Sequence, residues 1–328
     1  MMDLRRRCLT LKFIYFSLFI CLIAAQCQVV PPPTPTPQPS PPPPTPLLIP
    51  PIQRGDGSDL LDHLLDSGVV RVGIRVWPEA VFSPPAFRGF SNAETGGALN
   101  GFEVDLARQV AEGLGLELEL VEAYPPVLST GDWQGQWDIA IASLVPFDPP
   151  EDAAGHSLTF SRPYAYMPMG ILSLATANDI QGWDSLAGRQ VGVLEHSAYQ
   201  YLLGPGGAAL TSQHQPLLPQ TPPGIQPVAL ANLQKTIRQL DQAELKIDAL
   251  FGPGPIFQEA VKSELPVKWV QVGVQTLAIA AVPQDNLKVD RLMLEINKIV
   301  DRLHRQGTLS EIYLHWYGQD FSQAEDSR

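Results

Sequence analysis

The 328-residue chain has only three cysteines, Cys8, Cys21 and Cys27, all within its first 27 residues. Everything after them can form no disulfide and use no thiolate, which excludes cysteine catalysis and disulfide stapling. Cationic charge is scarce as well, with 22 lysines and arginines against 34 aspartates and glutamates. Beyond residue 27 the balance is 18 basic to 33 acidic, which argues against nucleic acid or an anionic membrane surface as partner. The chain has no Walker loop, no zinc-type His and Cys spacing, no GxSxG elbow and no strict GxGxxG. A looser glycine pattern at Gly204, Gly206 and Ala209 follows a helical stretch instead of a strand. These absences lead to the expectation of no cofactor, no metal and no nucleic acid; the chain is expected to be a monomer.

What is present begins with an export signal. Arg5, Arg6 and Arg7 precede an apolar run, Phe13 to Ala25, interrupted only by Ser17. Thirteen residues suit a signal peptide and fall short of the ~20 that span a bilayer. Cleavage beside Ala24 and Ala25 gives a secreted protein, and cleavage before Cys27 gives a lipoprotein lipidated at Cys27. Gln26 departs from the small residue usual before a lipidated cysteine, and an uncleaved anchor extending back through Lys12 is the other alternative. Thirteen prolines between Pro31 and Pro51 favour an extended polyproline spacer, about 60 Å long at ~3.1 Å per residue. The expected location is extracytoplasmic, in the periplasm or on the outer face of the membrane.

From about Ser58 to Gly318, short apolar strands alternate with helical patterns, as in an α/β fold with parallel sheets. Strands are expected at Val70–Val76, Leu116–Val121, Trp137–Ala142, Met169–Ala175, Gln190–Leu194, Ile247–Phe251, Lys268–Val272 and Leu277–Val282. Helices are expected at Ala198–Leu203, Ala231–Leu245, Pro255–Val261 and Asp290–His304, with a capping box at Gly307–Glu311 opening a last one. Gly204 to Pro227 reads as a long irregular excursion. The stretch Leu99–Gly115, LNGFEVDLARQVAEGLG, reads as a strand end, a glycine turn and an amphipathic helix stopped by glycine. Leu106, Val110 and Leu114 form its apolar stripe.

That stretch resembles the opening of the first helix in the family 3 extracellular solute-binding proteins, receptors of polar amino-acid ABC transporters. FSRPY at Phe160–Tyr164 is similar to the family's FSxPY, WDSLAGRQVGV at Trp183–Val193 to its "slddLkGkkVGV", and GTLSEIYLHWYG at Gly307–Gly318 to its C-terminal "GtlakiyeKWfG". The resemblance implies a two-lobed periplasmic-binding-protein (Venus flytrap) fold, type II, with two hinge crossings. Lobe 1 would comprise residues 58–175 and 276–320 and lobe 2 residues 176–275. These follow a leader (1–27) and a Pro-rich linker (28–57) and precede a tail (321–328). It also implies a small polar ligand in the interlobe cleft and a membrane ABC permease as partner. The alternatives are a ligand sensor or partner-docking receptor, or a dehydratase-like enzyme on the same scaffold, for which Glu79 beside Arg75 is the one suggestive acid–cation pair.

Ligands of open parallel sheets sit beyond the carboxyl ends of strands. That rule selects Arg75, Trp77 and Glu79 after the first strand, Tyr124 after the second, Ser143 after the third, and His196 and Ser197 after the first strand of lobe 2. Aligned with the family's "vDaiiagmtiTpeR", the segment Trp137–Glu151 has Val145 at the threonine and Pro150 at or near the carboxylate-gripping arginine. Aligned with "vDavvvDsp", Pro253 stands at the ammonium-binding aspartate. Both poles of the amino-acid clamp are thus replaced, and Arg75 is the candidate to reach a carboxylate from the opposite wall. Its alternative is a local pair with Glu79 or Glu103. Tyr124 and Trp77 are candidate stacking surfaces, Ser197 a donor or plain N-cap, His196 a pocket-narrowing or solvent-facing group, and Arg162 a substitute arginine.

Overall fold

The computed structural model describes residues 51–76, 92–93, 98–146, 158–204, 211–212, 215–216, 221–242 and 245–324. The expectations placed on the leader, Cys27 and almost all of the proline-rich segment lie outside these residues, as do those on Trp77, Glu79 and Pro150. The elements run α1 (Leu60–Ser67), β1 (Val69–Ile74), β2 (Asn92–Ala93), β3 (Leu99–Asn100), α2 (Phe102–Leu114), β4 (Glu117–Glu122), α3 (Pro125–Thr130), β5 (Ile139–Leu144), β6 (Thr159–Phe160) and β7 (Ala165–Leu174). A 3-10 turn at Trp183–Leu186 precedes β8 (Gln190–Leu194), α4 (Ala198–Leu203), β9 (Thr211–Ser212), β10 (Gln215–Pro216) and β11 (Gln226–Leu230). The chain ends with α5 (Leu233–Arg238), β12 (Ala249–Pro253), α6 (Gly254–Lys262), β13 (Val267–Ala281), α7 (Asp290–Gln306) and α8 (Thr308–Tyr317). No helix among the described residues is long and apolar enough to cross a membrane.

The main sheet has the order β11-β8-β12-β7-β13-β5-β1-β4, with β6 also on β13. It consists of two matching parallel halves. In one, β1 pairs in parallel with β4 and β5, and in the other β8 pairs in parallel with β11 and β12. Between them β7 and β13 run antiparallel for nearly their whole length, from Val267 opposite Leu174 to Leu277 opposite Ala165. The chain therefore passes between the halves twice, out along β7 and back along β13. Valines and isoleucines fill the covered strands, as parallel pairing requires. Val70, Val72 and Ile74 of β1 and Ile139 and Ile141 of β5 are fully buried, whereas edge strand β4 alternates in exposure.

Helix α2 forms where the sequence placed it. Gly101 precedes it at φ 131°, and Gly115 ends it in the left-handed region at φ 70°. Leu106, Val110 and Leu114 face the core, where α2 packs against β1, β4, β5, α7 and α8. Phe102 stacks on Tyr313 of α8 with ring centroids 4.0 Å apart, tying the C-terminal motif to this helix.

Each half is fastened by an aspartate just before its third strand. Asp138 accepts from the Arg71 backbone N–H at 2.8 Å and from its guanidinium at 2.6 and 3.3 Å, while the Asp138 N–H returns a bond to the Arg71 carbonyl. Asp248 repeats the pattern, accepting from Gln190 N–H at 2.8 Å and donating to its carbonyl at 2.9 Å, with Arg189 alongside. The chain segment entering the domain is fastened similarly, because Asp62 accepts from Gly55, Gly57 and Arg291.

Three expectations need correction. Lys268–Val272 and Leu277–Val282 are not separate strands but lie mostly within the single β13, because pairing with β7 satisfies the intervening backbone and a register shift at Gln271/Gly273 absorbs the mismatch. The capping box at Gly307–Glu311 does not form. Gly307 at φ 77° ends α7 and starts α8 at once, so Thr308 is already helical and no side-chain cap bond is made. The helix expected over Ala231–Leu245 is reduced to α5, capped by Asn232 accepting from Lys235 N–H at 2.9 Å. Turns follow it and carry the chain back to place Asp248 on Gln190.

The two aspartates differ in burial, with Asp138 at 3% and Asp248 at 40% side-chain exposure. D138A is expected to lower unfolding free energy by about 2–4 kcal/mol, and D248A by about 1 kcal/mol or less. Urea titration of both variants checks this, and equal losses would contradict it. Hydrogen bonds from Arg291 and Gly55 hold the Asp62 carboxyl down at about 2 from an ordinary 3.8. Its stabilisation is therefore complete above about pH 4 and lost as pH falls toward 2. D62N is expected to flatten the dependence of the urea midpoint on pH in that interval.

Candidate functional site

The site lies where the carboxyl ends of β1 and β8, the central strands of the two halves, face one another. Arg75, directly after β1, reaches across and donates to the carbonyl oxygens of His196 at 3.3 Å and Glu195 at 3.4 Å, directly after β8. Around this bridge is a cleft of about 200 Å³, lined from one side by Arg75, Val76, Tyr124 and Pro125 and from the other by Glu195, His196, Asn232 and Gln234. Burial pulls the Arg75 pKa down to about 10, with the charges of Glu103 and Glu195 opposing that shift. The guanidinium is therefore still charged at neutral pH.

Of the residues expected at the site, Arg75, Tyr124 and His196 meet in this cleft. Tyr124 is 64% exposed and presents a large aromatic surface there. Ser143 and Ser197 do not line it. The Ser143 hydroxyl donates to Glu103 at 2.6 Å, and the Ser197 hydroxyl turns back to the Leu194 carbonyl at 2.5 Å instead of capping α4. Arg162 is on the surface, paired with Asp301 of α7, and takes no part.

Two of the non-glycine residues with positive φ stand at strand ends on this side of the sheet. Ser143 near the end of β5 has φ 53° and His196 after β8 has φ 54°, a left-handed conformation that histidine enters more readily than serine. Each is held by a local bond, Ser143 by Glu103 and the His196 N–H by the Gln200 carboxamide oxygen at 2.7 Å. Glu103 is itself buried beside Tyr164, Tyr313 and Tyr317, whose hydroxyl pKa values are pushed well up by burial, with the Glu103 charge adding to the shift. A buried carboxylate thus holds the carboxyl end of β5 through the Ser143 hydroxyl.

The sequence reading missed Glu195, Asn232 and Gln234. Glu195 stands one residue before those selected, and the other two follow β11, a strand that contains Pro227 and begins at the end of the apparent excursion. Locating β11 would have brought in Asn232 and Gln234 by the same carboxyl-end rule that selected Arg75.

With this geometry in hand, comparison with known proteins is specific. The sequence model of the bacterial extracellular solute-binding proteins, family 3, matches residues 80–319. A probable amino-acid ABC transporter-binding protein of Haemophilus influenzae is 26% identical over 248 residues, 76% of this chain and 86% of that one. Among solved structures, an ancestral arginine-binding protein bound to glutamine superposes with a TM-score of 0.55 at 24% identity, covering 77% of this chain and 99% of that one. An ancestral amino acid-binding protein described as a precursor of cyclohexadienyl dehydratase gives 0.57 at 21% identity, covering 79% and 100%. These neighbours share the type II two-lobed fold.

The strain at Ser143 is open to test. S143A and S143G both remove the bond to Glu103, but only alanine keeps the steric penalty of the left-handed backbone. S143A is expected to be the less stable by about 1 kcal/mol in urea titration. Glycine proving the worse replacement would contradict the strain argument.

Proposed function

This chain belongs to the bacterial extracellular solute-binding proteins of family 3, and we propose that it is the extracytoplasmic receptor of an ABC transporter for an amino acid or closely related small polar molecule. In this reading residues 58–175 with 276–320, and residues 176–275, are two lobes hinged at β7 and β13. Ligand binding shifts the population toward the closed arrangement that a membrane permease recognises. A leader ending at or before Cys27 exports the protein, and the proline-rich segment spaces the receptor from its membrane anchor or cell surface.

One observation carries the ligand-binding part, the Arg75 bridge across the cleft. On alignment with the family pattern Pro150 stands at or near the usual carboxylate arginine and Pro253 at the ammonium aspartate, and Arg75 is the arginine among the described residues that lines this cleft. Its bonds to the two carbonyls are long for N–H···O contacts, so a ligand carboxylate, which forms stronger charge-assisted pairs with a guanidinium, would draw it away. Tyr124 supplies an apolar face beside it. A cleft of about 200 Å³ is smaller than the ~300–1,000 Å³ of drug-sized sites and suits a ligand of amino-acid size.

A thermal-shift screen of the full chain against amino acids, small carboxylates, polyamines and sugars tests this reading. A ligand at about a hundred times its Kd stabilises by ~2.7 kcal/mol. The expected result is a selective shift with amino acids or their relatives, which R75M cuts to about half at the same ligand concentration. No shift from any amino acid, or full retention of the shift in R75M, would overturn it.

A further inference from the structure

The wall that the second half contributes to the cleft turns acceptors toward Arg75. The carbonyl oxygens of Glu195 and His196 receive the Arg75 guanidinium, and the Glu195 carboxylate is near enough to favour its charge. Gln234 lines the same cleft with only 3% exposure, and its carboxamide oxygen has no hydrogen-bond partner among the described residues. Leaving such an oxygen unpaired away from water costs about 1–3 kcal/mol. Rotation of the terminal amide by half a turn exchanges its oxygen and nitrogen at no covalent cost.

Acceptors gathered on one wall call for a donor, and a guanidinium is what they hold. It comes, however, from the opposite wall, at 3.3 and 3.4 Å, and leaves Gln234 unserved. We propose that this wall is a subsite for a guanidinium or ammonium group of the ligand, and that Arg75 fills it as an internal stand-in when no ligand is bound. Binding exchanges one cation for the other. The ligand's cationic end takes the Glu195 and His196 carbonyls, the Glu195 carboxylate and the Gln234 amide, while the released Arg75 takes the ligand's carboxylate. The inference rests on the amino-acid receptor reading and narrows it to basic amino acids. It also assigns the anion and cation contacts to strand ends other than those the family motifs use.

Titration calorimetry on the full chain tests it with three probes: L-arginine, L-citrulline, which replaces the guanidinium by a neutral urea, and agmatine, which lacks the carboxylate. Arginine is expected to bind at least about tenfold more tightly than citrulline. R75M is expected to act in opposite directions, weakening arginine by about tenfold and tightening agmatine several-fold, because the competitor for the carbonyl wall is gone. E195Q, which leaves Arg75 in place, is expected to reduce the preference for arginine over citrulline. Equal binding of arginine and citrulline, or weakening of agmatine by R75M in a protein whose urea midpoint is unchanged, would overturn the proposal. Binding of neutral amino acids alone would sink this inference and leave the receptor reading standing. Binding of no amino acid at all would sink both.

Discussion

The antiparallel pairing of β7 with β13 is the constraint on which the rest of the molecule depends. Those two strands carry the chain from one parallel half-sheet to the other and back, and their continuous ladder replaces what would otherwise be two exposed linkers. Because each half is parallel, all three of its strands end on the same side, and the central pair sets the two groups of ends against each other. The cleft is thus a consequence of strand direction. Arg75 and the Glu195–His196 carbonyls are the first groups on either side to meet there.

Two kinds of residue then make the cleft a defined place. Asp138 and Asp248 fix the start of the third strand in each half by the same backbone exchange, which holds the strand ends in register with the central strands. Ser143 near the end of β5 and His196 after β8 both take positive φ, each secured by a polar side chain. Glu103 links the two levels. It lies in the motif that opens α2, beneath the aromatic contacts of α8, and holds the Ser143 hydroxyl. The helix motif recognisable in the sequence is therefore coupled through one buried carboxylate to the carboxyl end of β5.

Much of this was legible in the sequence because local signals and tertiary demands agreed. Glycines at both ends of α2, the apolar stripe of α7 and the valine-rich β1 each specify their element with little help from neighbours. The misses came where distant partners decide. No residue between Lys268 and Val282 announces that β13 is continuous, since that follows from β7 lying alongside it. Strand β11 has two prolines among its near neighbours and half-exposed edges, so periodicity gives little sign of it. Arg75, Tyr124 and His196 come out on one cleft because the carboxyl-end rule depends only on strand direction. Where the hydroxyls of Ser143 and Ser197 turn depends on side chains and carbonyls that no linear pattern connects to a cleft.

The account stands on the cleft being spanned by Arg75, and a distance measurement between the two halves tests that most directly. The domain has no cysteine of its own, so with Cys8, Cys21 and Cys27 changed to serine, E117C on β4 and Q226C on β11 give two unique sites for spin labels on the opposite edges of the sheet. Pulsed electron resonance is expected to show a narrow distance distribution in the otherwise unaltered protein without ligand. It should broaden toward longer separations when R75M is added. A distribution that is broad from the outset, or one that R75M leaves unchanged, would contradict the claim that this single guanidinium holds the two halves across the cleft.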